Sequence, residues 1–271
     1  MQLTIRNALP SDKKTVLDFC KSTFSWGDYI HYVWDDWTDE GNFFVLCENK
    51  HPVAICHGFI IRDAKLVWIE GIRVNPNYRQ KGYAKKLVTK TETVAKKHGC
   101  KLSAMIIESK NYKSLNLASK LHYARNEKWD YYFLSPKKHS TSNIQHAKSA
   151  KEIARYLADS EFYIRSWRWL PLDATTISSL VKEKKIIILT NQDRIDSLGI
   201  ITEPDHFEKT MMLTLIYTTK SGIKKILPYV QNLTYEKKFE RIQILTKMKK
   251  LPPYSGLEKR LEFYHMTKLL D

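Results

Sequence analysis

A short basic loop within residues 72–87 carries the residue types best suited to hold a phosphorylated ligand. A strand ends near Pro76, and a loop with a single glycine, Gly82, leads directly into a helix. The first N–H groups of a helix lack intrahelical partners and lie at the positive end of its dipole. Gly82 lets the backbone approach an anion because it has no Cβ. We therefore expect a pyrophosphate site here, surrounded by basic side chains: Arg79, Lys81, Lys85 and Lys86.

This loop differs from the two common phosphate-binding motifs. A Walker loop requires GxxxxGK[ST] and a dinucleotide-binding loop requires GxGxxG, whereas this loop contains one glycine. The sequence therefore indicates an anion site at a helix N-terminus without the signature of a nucleotide hydrolase or a dinucleotide enzyme.

The elements that must position this loop follow from hydrophobic spacing and turn residues. Alternation predicts a first strand over residues 3–7, followed by a helix from about Lys13 with Ser11 or Asp12 as its cap. Further strands are expected at 43–48, 53–62, 65–74, 102–107 and 130–134, with a turn at Arg62-Asp63 and helices at 85–98 and 111–121.

The second half repeats this order of elements after a stretch without apolar side chains at residues 135–143. We expect helices at 147–159, 173–182, 222–232 and 257–261, strands at 186–189, 197–202, 211–217, 242–245 and 263–268, and an aromatic segment at 162–169. The order recurs but the sequence does not, so we predict an internal duplication. The predicted domains are residues 1–137 and 138–271.

Bulk composition limits the function classes. The chain has 271 residues, 43% of them hydrophobic, which suffices for packed cores and excludes disorder. Its net charge of +16 is spread along the chain and favours polyanionic partners, or else reflects an ordinary lysine-rich surface. Four cysteines without CxxC spacing indicate neither a disulfide framework nor a zinc site. No apolar run approaches membrane-spanning length, so we expect a cytoplasmic protein without a membrane partner.

Three motifs together resemble the GNAT acetyltransferase superfamily. The family loop (Arg/Gln)-x-x-Gly-x-(Gly/Ala) after V-x-P matches Val74-Asn75-Pro76 and the segment 79–84. A second family signature matches Asn111 and the helix that follows it, with His122-Tyr123 replacing the usual Gly-Phe. The opening segment 5–12 is also typical of the family. The resemblance implies a mixed α/β sheet in an N-terminal GNAT fold, followed by a second, degenerate GNAT-like α/β domain.

The resemblance also implies acetyl-CoA as co-substrate, with no metal, and direct attack of an amine on the thioester. The backbone of Ile72 and Val74 would pair with the pantetheine arm, and Asn111 would bind near the acetyl end. The pyrophosphate would lie among Arg79, Lys81, Gly82, Tyr83, Ala84 and Lys85. The stretch 218–222 lacks this loop, so we expect the C-terminal domain not to bind CoA in the same way and to have an acceptor-side or structural role.

Catalysis requires a base for the amine and a proton donor for the leaving thiolate. Glu70 is the first candidate base and Glu108 the second; the alternative for Glu70 is an ion pair with a surface lysine. The family's usual tyrosine donor is replaced by Ala118, so Ser114 becomes the candidate donor, with Tyr112 less favoured and an ordinary helical role as the alternative. His31, His57 and His122 show no metal-ligand spacing, and we expect them to pack or lie at the surface.

The resemblance also implies that the segment between the first two helices lines the acceptor side; here this is residues 26–40, which are rich in aromatic and acidic side chains. Asp28, Tyr29 and Trp34, with Trp26 and Trp37, could enclose a cationic amine; alternatively the aromatic residues are core and the acids cap helices. The D-Y-I-x-x-V-W-x-x-W pattern and the segment 166–172 are loosely similar to the two-part histidine N-acetyltransferase group. That similarity implies a small amino acid or amine as acceptor.

Three functions remain open from the sequence. The leading one is N-acetylation of a small amine or amino acid. The second is acetylation of protein N-termini or lysines, through a groove open enough for a peptide. The third is a non-catalytic CoA-binding or RNA-associated module that uses the basic surface for nucleic acid, the less favoured partner.

Overall fold

The computed structural model describes residues 2–25, 27–140, 143–192, 194–206 and 209–271. The chain forms two compact units, Met1–Asn126 with His265–Asp271, and Glu127–Tyr264. The sequence predicts a boundary at residue 137 instead. The two differ because one continuous strand, Ala124–Leu134, runs across the observed boundary, and because the last residues of the chain join the first unit. No helix within these described ranges is long and apolar enough to cross a membrane.

The first unit has a mixed sheet with helices between its strands. Strands β1 to β4 pair antiparallel in chain order, and β4 pairs with β5 in parallel. The last residues of the C-terminal strand lie beside β5. The elements are β1 (Leu3–Asn7), α1 (Lys13–Cys20), α2 (Ile30–Glu40), β2 (Phe43–Glu48), β3 (His51–Ile61), β4 (Leu66–Val74), α3 (Tyr83–Lys97), β5 (Leu102–Glu108), α4 (Tyr112–Lys120) and the start of β6 (Ala124–Leu134).

Aromatic side chains of α2 form much of the core on one face of this sheet. Trp34 and Trp37 are each 1% exposed and both pack edge-on against Phe43 of β2, with ring centroids 4.9 and 5.4 Å apart. Large aromatic rings bury much apolar area and favour such edge-to-face contacts. Their burial fixes α2 against β2 and β3, and thereby places the end of α2 beside the centre of β4.

A β-bulge in β4 sets the direction of the strand near the site. Ile55 of β3 pairs with Arg73, but two residues later His57 pairs with Glu70, so β4 contains one extra residue between these pairs. Gly71 lies in that extra stretch with φ of +63°, a conformation that costs a side-chain-bearing residue about 1 kcal/mol or more. The bulge bends β4 just after Glu70.

The second unit repeats the order of pairing of the first. Strands β7, β10, β11 and β12 pair antiparallel, β12 pairs with β13 in parallel, and β13 pairs antiparallel with β6. This topology agrees with the duplication predicted from the order of elements. The elements are β7 (Ile144–His146), α5 (Ala150–Leu157), β8 (Phe162–Arg165), β9 (Arg168–Pro171), α6 (Ala174–Lys182), β10 (Ile186–Asn191), β11 (Arg194–Thr202), β12 (Thr210–Thr218), α7 (Ile223–Glu236), β13 (Arg241–Thr246) and β14 (Glu258–Leu269).

Two local predictions are wrong. Residues 258–261 of the helix expected at 257–261 belong to β14, where Lys259 forms an ion pair with Asp130 of β6 at 2.8 Å. Strand pairing has overridden the helix propensity of this charged segment. Asp12 does not cap α1 with its side chain, because its carboxylate accepts hydrogen bonds from Arg6 and from the N–H of Leu9.

The aromatic segment of the second half folds as the hairpin β8–β9. Ser166 and Trp167 both adopt positive φ, 51° and 62°, at its turn. The indole N–H of Trp167 donates to Gln243 of β13 at 3.0 Å. The expected linker contains residues 141–142, which lie outside the described ranges.

Candidate active site

The parallel strands β4 and β5 of the first unit are paired only over their first residues. Pairing between β4 and β5 joins three residue pairs, from Leu66 with Leu102 to Trp68 with Ala104, and includes no later residue of these fully described strands. The second half of β4, which carries Glu70, Ile72 and Val74, therefore has a side that β5 does not cover. An extended ligand could pair there with the backbone of β4, as a further strand would.

Ile72 and Val74 are half-buried on this part of β4. The carbonyl oxygen of Ile72 accepts a hydrogen bond from Arg73 at 3.2 Å, and that of Val74 accepts one from Arg79 at 3.4 Å. These contacts hold the two guanidinium groups close to the strand. The expected pairing of Ile72 and Val74 with a pantetheine arm stays a prediction.

The loop after β4 presents an open helix N-terminus. Gly82 caps α3 with φ of +76°, and no atom lies within 4 Å of the position that a Cβ would take. Arg79, Lys81 and Lys85 are exposed around it, and Ala84 is half-buried. Because the approach to the first turn of α3 is unobstructed and its surroundings are basic, the geometry suits an anionic group.

Tyr83 and Lys81 are tied to Glu48 at the end of β2. The Tyr83 hydroxyl donates to the Glu48 carboxylate, and Lys81 lies 3.2 Å from the same carboxylate. The hydrogen bond to Glu48 raises the pKa of Tyr83 to about 12. The bond from Tyr83 is also the main reason why the pKa of Glu48 is lowered. These contacts fix the start of α3 to the sheet, so the Tyr83 side chain acts as an anchor in this structure.

Asn111 and Ser114 begin α4. The Asn111 side chain accepts a hydrogen bond from the N–H of Ser114 at 3.1 Å and so caps the helix. Ser114 is half-buried, Tyr112 is 75% exposed, and Ala118 is buried. Glu108 is half-buried at the end of β5, and its carbonyl accepts from the N–H of Asn111. The expected roles of these residues stay predictions.

Glu70 belongs to a cluster of three ionisable side chains. His57 Nδ1 lies 2.9 Å from Glu70 Oε1, and His57 Nε2 lies 3.4 Å from Glu40 Oε2. His57 Nε2 also contacts the carbonyl oxygen of Gly41 at 3.1 Å. The ring of Trp37 stacks on His57 with centroids 4.6 Å apart. The partner of Glu70 in this cluster is thus a buried histidine, whereas the sequence left a surface lysine as the alternative.

The three side chains of this cluster differ in solvent exposure. The His57 side chain is 0% exposed, that of Glu70 is 13% exposed, and that of Glu40 is 24% exposed. Glu70 can therefore be reached from outside, while His57 lies behind it in the protein. A carboxylate in this setting can accept a proton from a bound amine.

The predicted acceptor residues form packing and ion-pair contacts instead of an open anionic surface. Asp28 is 3% exposed and binds Arg73 through two contacts, at 2.7 and 3.2 Å. The Arg73 guanidinium thus offsets the negative charge of Asp28. The expected role of Asp28 in attracting an amine stays a prediction. Trp34 is likewise a core residue, because its ring is buried against Phe43. Trp26 lies outside the described ranges.

Tyr29 lies between the Arg73 pair and the Glu70 cluster. Its ring contacts the Arg73 guanidinium at 5.2 Å and the edge of Trp37 at 6.1 Å. Burial raises the pKa of Tyr29, although Arg73 opposes this effect. Of the three predicted acceptor residues, Tyr29 is the one that this arrangement leaves half-buried and close to the cluster.

The corresponding turn of the second unit, between β12 and α7, is closed by its own contacts. The N–H of Gly222 donates to Thr219 Oγ1 at 2.9 Å, and the N–H of Thr219 donates to the Asp196 carbonyl at 2.9 Å. Ser221 donates to the Asp196 carboxylate at 3.3 Å. The Gly222 N–H at this helix start is therefore already bonded within the turn. The expectation that this unit does not bind CoA in the same way stays a prediction.

Comparison with known proteins agrees with this geometry. The model of the "Acetyltransferase (GNAT) family" matches residues 13–123. The comparison with curated proteins gave no match. The match covers the predicted loop and the candidate base, and confirms the resemblance seen in the sequence. It supports the assignment of the first unit as an acyltransferase domain.

Solved structures resemble the chain along nearly its whole length. An acetyltransferase structure from Thermoplasma acidophilum, titled as putative, has 16% identity and a TM-score of 0.66, with 98% of this chain and 99% of that chain covered. A GCN5-related N-acetyltransferase from Sphaerobacter thermophilus has 12% identity and a TM-score of 0.66, with 99% and 96% covered. A tandem GNAT protein of the clavulanic acid pathway has 10% identity and a TM-score of 0.61, with 100% and 99% covered. At these identities the likeness establishes the fold.

Proposed function

We propose that this chain, with its GNAT acetyltransferase domain at residues 13–123, transfers an acetyl group from acetyl-CoA to a primary amine. The observation that carries the proposal is the unobstructed start of α3 at Gly82, beside a strand that β5 leaves uncovered and that bears Glu70. The amine would attack the thioester directly while both substrates are bound.

The cradle at the start of α3 fits the pyrophosphate of acetyl-CoA. Its main-chain N–H groups lie at the positive end of the helix dipole, and Arg79 and Lys85 add positive charge beside Lys81, which is paired with Glu48. Bound acetyl-CoA supplies an activated acyl group. The chain's own contribution is to orient that group through the uncovered side of β4, at Ile72 and Val74, and through Asn111.

Glu70 is the proposed general base. An alkyl amine titrates near pH ~10, so it must lose a proton before it attacks at neutral pH. The partly exposed Glu70 carboxylate can take that proton, either directly or through one water. Glu108, at the end of the neighbouring strand β5, is the second candidate for this role.

The leaving thiolate requires a proton donor at the start of α4. Ser114 lies in the first turn of this helix and is half-buried, whereas Tyr112 is largely exposed. Ala118 has no hydroxyl group, so the donor used by many family members is not available at that position. We retain Ser114 as the proposed donor and Tyr112 as its alternative.

The proposed acceptor is a small amine or amino acid. The looser sequence similarity to the two-part histidine N-acetyltransferase group supports an α-amino group as the acceptor. Acetylation of protein N-termini or lysines is the alternative, and both reactions would use the same base. A CoA-binding or RNA-associated module without turnover is the third alternative.

Release of free CoA thiol in the presence of a panel of amines tests the proposal. The panel contains free amino acids, polyamines, peptides with free N-termini and lysine peptides with blocked N-termini, and mass spectrometry identifies the acetylated product. We expect amine-dependent thiol release that falls by roughly 10²–10⁴-fold in Glu70→Gln. Asp18→Asn, in an exposed ion pair with Lys21, is the matched control. The proposal would be contradicted if no amine in the panel increased the release of CoA thiol.

A further inference from the structure

We infer that His57 is a positioning residue for Glu70, which it holds through a hydrogen bond that carries one proton between the two side chains. The inference rests on the proposed function, because it deepens the role of Glu70 as base. It assigns a role to a buried histidine that the sequence indicated only as a packing or surface residue.

The Gly41 carbonyl determines which ring nitrogen carries a proton. A carbonyl oxygen can only accept a hydrogen bond, so the 3.1 Å contact to His57 Nε2 requires a proton on Nε2. Glu40 Oε2, at 3.4 Å, is a second acceptor on the same side of the ring. Nε2 therefore faces acceptors alone.

The contact between His57 Nδ1 and Glu70 Oε1 must then contain one proton. Without it, the lone pairs of the nitrogen and the oxygen would repel each other at 2.9 Å. If Nδ1 carries it, an imidazolium donates to a carboxylate; if Glu70 carries it, a carboxylic acid donates to a neutral ring. With the proton on Nδ1, the ring donates to the Glu70 carboxylate and orients it in the form that a general base requires.

Packing keeps His57 away from the reacting atoms. Trp37 stacks on one face of the ring, and Phe43 contacts it edge-on with centroids 6.0 Å apart. Because the side chain is 0% exposed while Glu70 is 13% exposed, His57 can act only through Glu70. Its effect is to orient the carboxylate and stabilise its charge.

Other titratable groups surround the pair. Burial raises the pKa of Cys56, the neighbour of His57 in β3, to about 12, and burial also raises the pKa of Tyr29. Both groups therefore remain neutral near pH 7. The guanidinium of Arg73 and the carboxylate of Asp28 form a mutual ion pair next to Tyr29. Within the described ranges, Glu40 is the second carboxylate in contact with His57.

A metal ion is the competing occupant of this cluster. Ligand atoms of Glu40, His57 and Glu70 lie within 4.8 Å of one another. However, the two carboxylates lie at opposite nitrogens of the ring, and a metal bound to one nitrogen would displace the hydrogen bond there. The geometry favours a proton in each contact.

Two variants separate positioning from packing. His57→Phe keeps a flat ring in the stack and removes both N–H groups, whereas His57→Asn keeps an amide near the Nδ1 position that can donate to Glu70. We expect His57→Phe to lower kcat by roughly 10–100-fold and to move the acidic limb of the kcat profile to higher pH, because the carboxylate loses a hydrogen-bond donor. His57→Asn should recover most of kcat. The Kd for CoA should stay within about twofold in both.

If His57→Phe has the kcat and the pH profile of the wild type, the inference is overturned. A loss of kcat accompanied by an equal loss of CoA affinity would also overturn it. His98→Phe, at an exposed position after α3, is the control and should behave as the wild type. If His57→Phe does not fold, His57→Asn and the following measurement decide the matter.

Nuclear magnetic resonance tests the hydrogen bond without catalysis. We expect a slowly exchanging Nδ1–H resonance of His57 in the wild type that is lost in Glu70→Ala and retained in Asp18→Asn, while the Nε2–H resonance, bonded to the Gly41 carbonyl, persists in both variants. Lack of any acetyl transfer by the wild type would refute the proposed function while leaving this readout intact. Absence of the Nδ1–H resonance, or stoichiometric binding of added Zn²⁺ that His57→Phe abolishes, would overturn the inference.

Discussion

The indole of Trp37 occupies the space that a side chain on Gly71 would need. An ideal Cβ on Gly71 would lie 2.3 Å from the Trp37 ring, and Gly71 has a positive φ of 63°. Trp37 also stacks on His57, whose ring contacts Glu70, the residue before Gly71. One tryptophan of α2 thus packs against both the bulge of β4 and the histidine that holds the candidate base.

Gly71→Ala should therefore destabilise the protein for two reasons. The left-handed backbone costs alanine about 1–2 kcal/mol, and displacement of Trp37 costs roughly 1–3 kcal/mol more. Calorimetric unfolding measures the change. Gly99→Ala is the control, because Gly99 has φ of +81° but no atom within 4 Å of a Cβ, so it should show the backbone cost alone. Equal losses in the two variants would show that Trp37 does not confine Gly71.

Asp28→Asn should reduce stability more than acceptor affinity. The substitution leaves the Arg73 guanidinium, whose side chain is 15% exposed, without its counter-charge. Breaking a buried ion pair in this way costs about 3–5 kcal/mol, whereas Asp35→Asn, in an exposed pair with Lys13, should cost about 1 kcal/mol or less. Urea unfolding measures both. An unchanged stability together with a raised KM for the amine would instead support Asp28 as an acceptor-binding residue.

Asp12 should make stability depend on acid pH. Burial alone would raise the pKa of Asp12, but hydrogen bonds from Arg6 and from the N–H of Leu9 outweigh it, so the pKa is lowered. Because the pKa is lower in the folded state, the stabilisation is complete above about pH 4 and is lost as the pH falls through the lowered pKa.

The free energy of unfolding of the wild type and of Asp12→Asn, measured at pH 7 and at pH 2–3, checks this dependence. We expect the wild type to be more stable at pH 7 by roughly 1–3 kcal/mol and the difference to shrink in acid. A difference that does not change with pH would contradict the role of the ionised carboxylate.

The sequence was most informative where one local rule decides the structure. Gly82 follows a proline-ended strand and precedes an amphipathic helix, and these local features predict its position at the start of α3. The repeated order of elements follows in the same way from periodicity, whereas the mixed α/β class was implied by the resemblance to the GNAT superfamily. The helix predicted at 257–261 was wrong because its charged residues favour a helix locally. The pairing of β14 with β6 could not be seen in the sequence.

The candidate site was predicted only in part because its contacts depend on tertiary structure. Asp28 is an acid in an acidic segment, and nothing in its surroundings indicates that Arg73, in a distant strand, neutralises it. His57 was missed, although the expected strands 53–62 and 65–74, with residue 62 opposite residue 65, would pair residue 57 with residue 70, as the structure does. Applying that register to the polar residues of the two strands would have brought His57 and Glu70 together.

Calorimetric titration with CoA tests the central claim most directly. We expect one molecule bound per chain, since the start of α3 is open and the corresponding turn before α7 is closed by Asp196. Gly82→Arg should weaken binding by about tenfold or more, while Gly99→Arg, at a similarly open positive-φ glycine, should bind as the wild type. Undetectable CoA binding by the wild type, or full affinity in Gly82→Arg, would contradict the account.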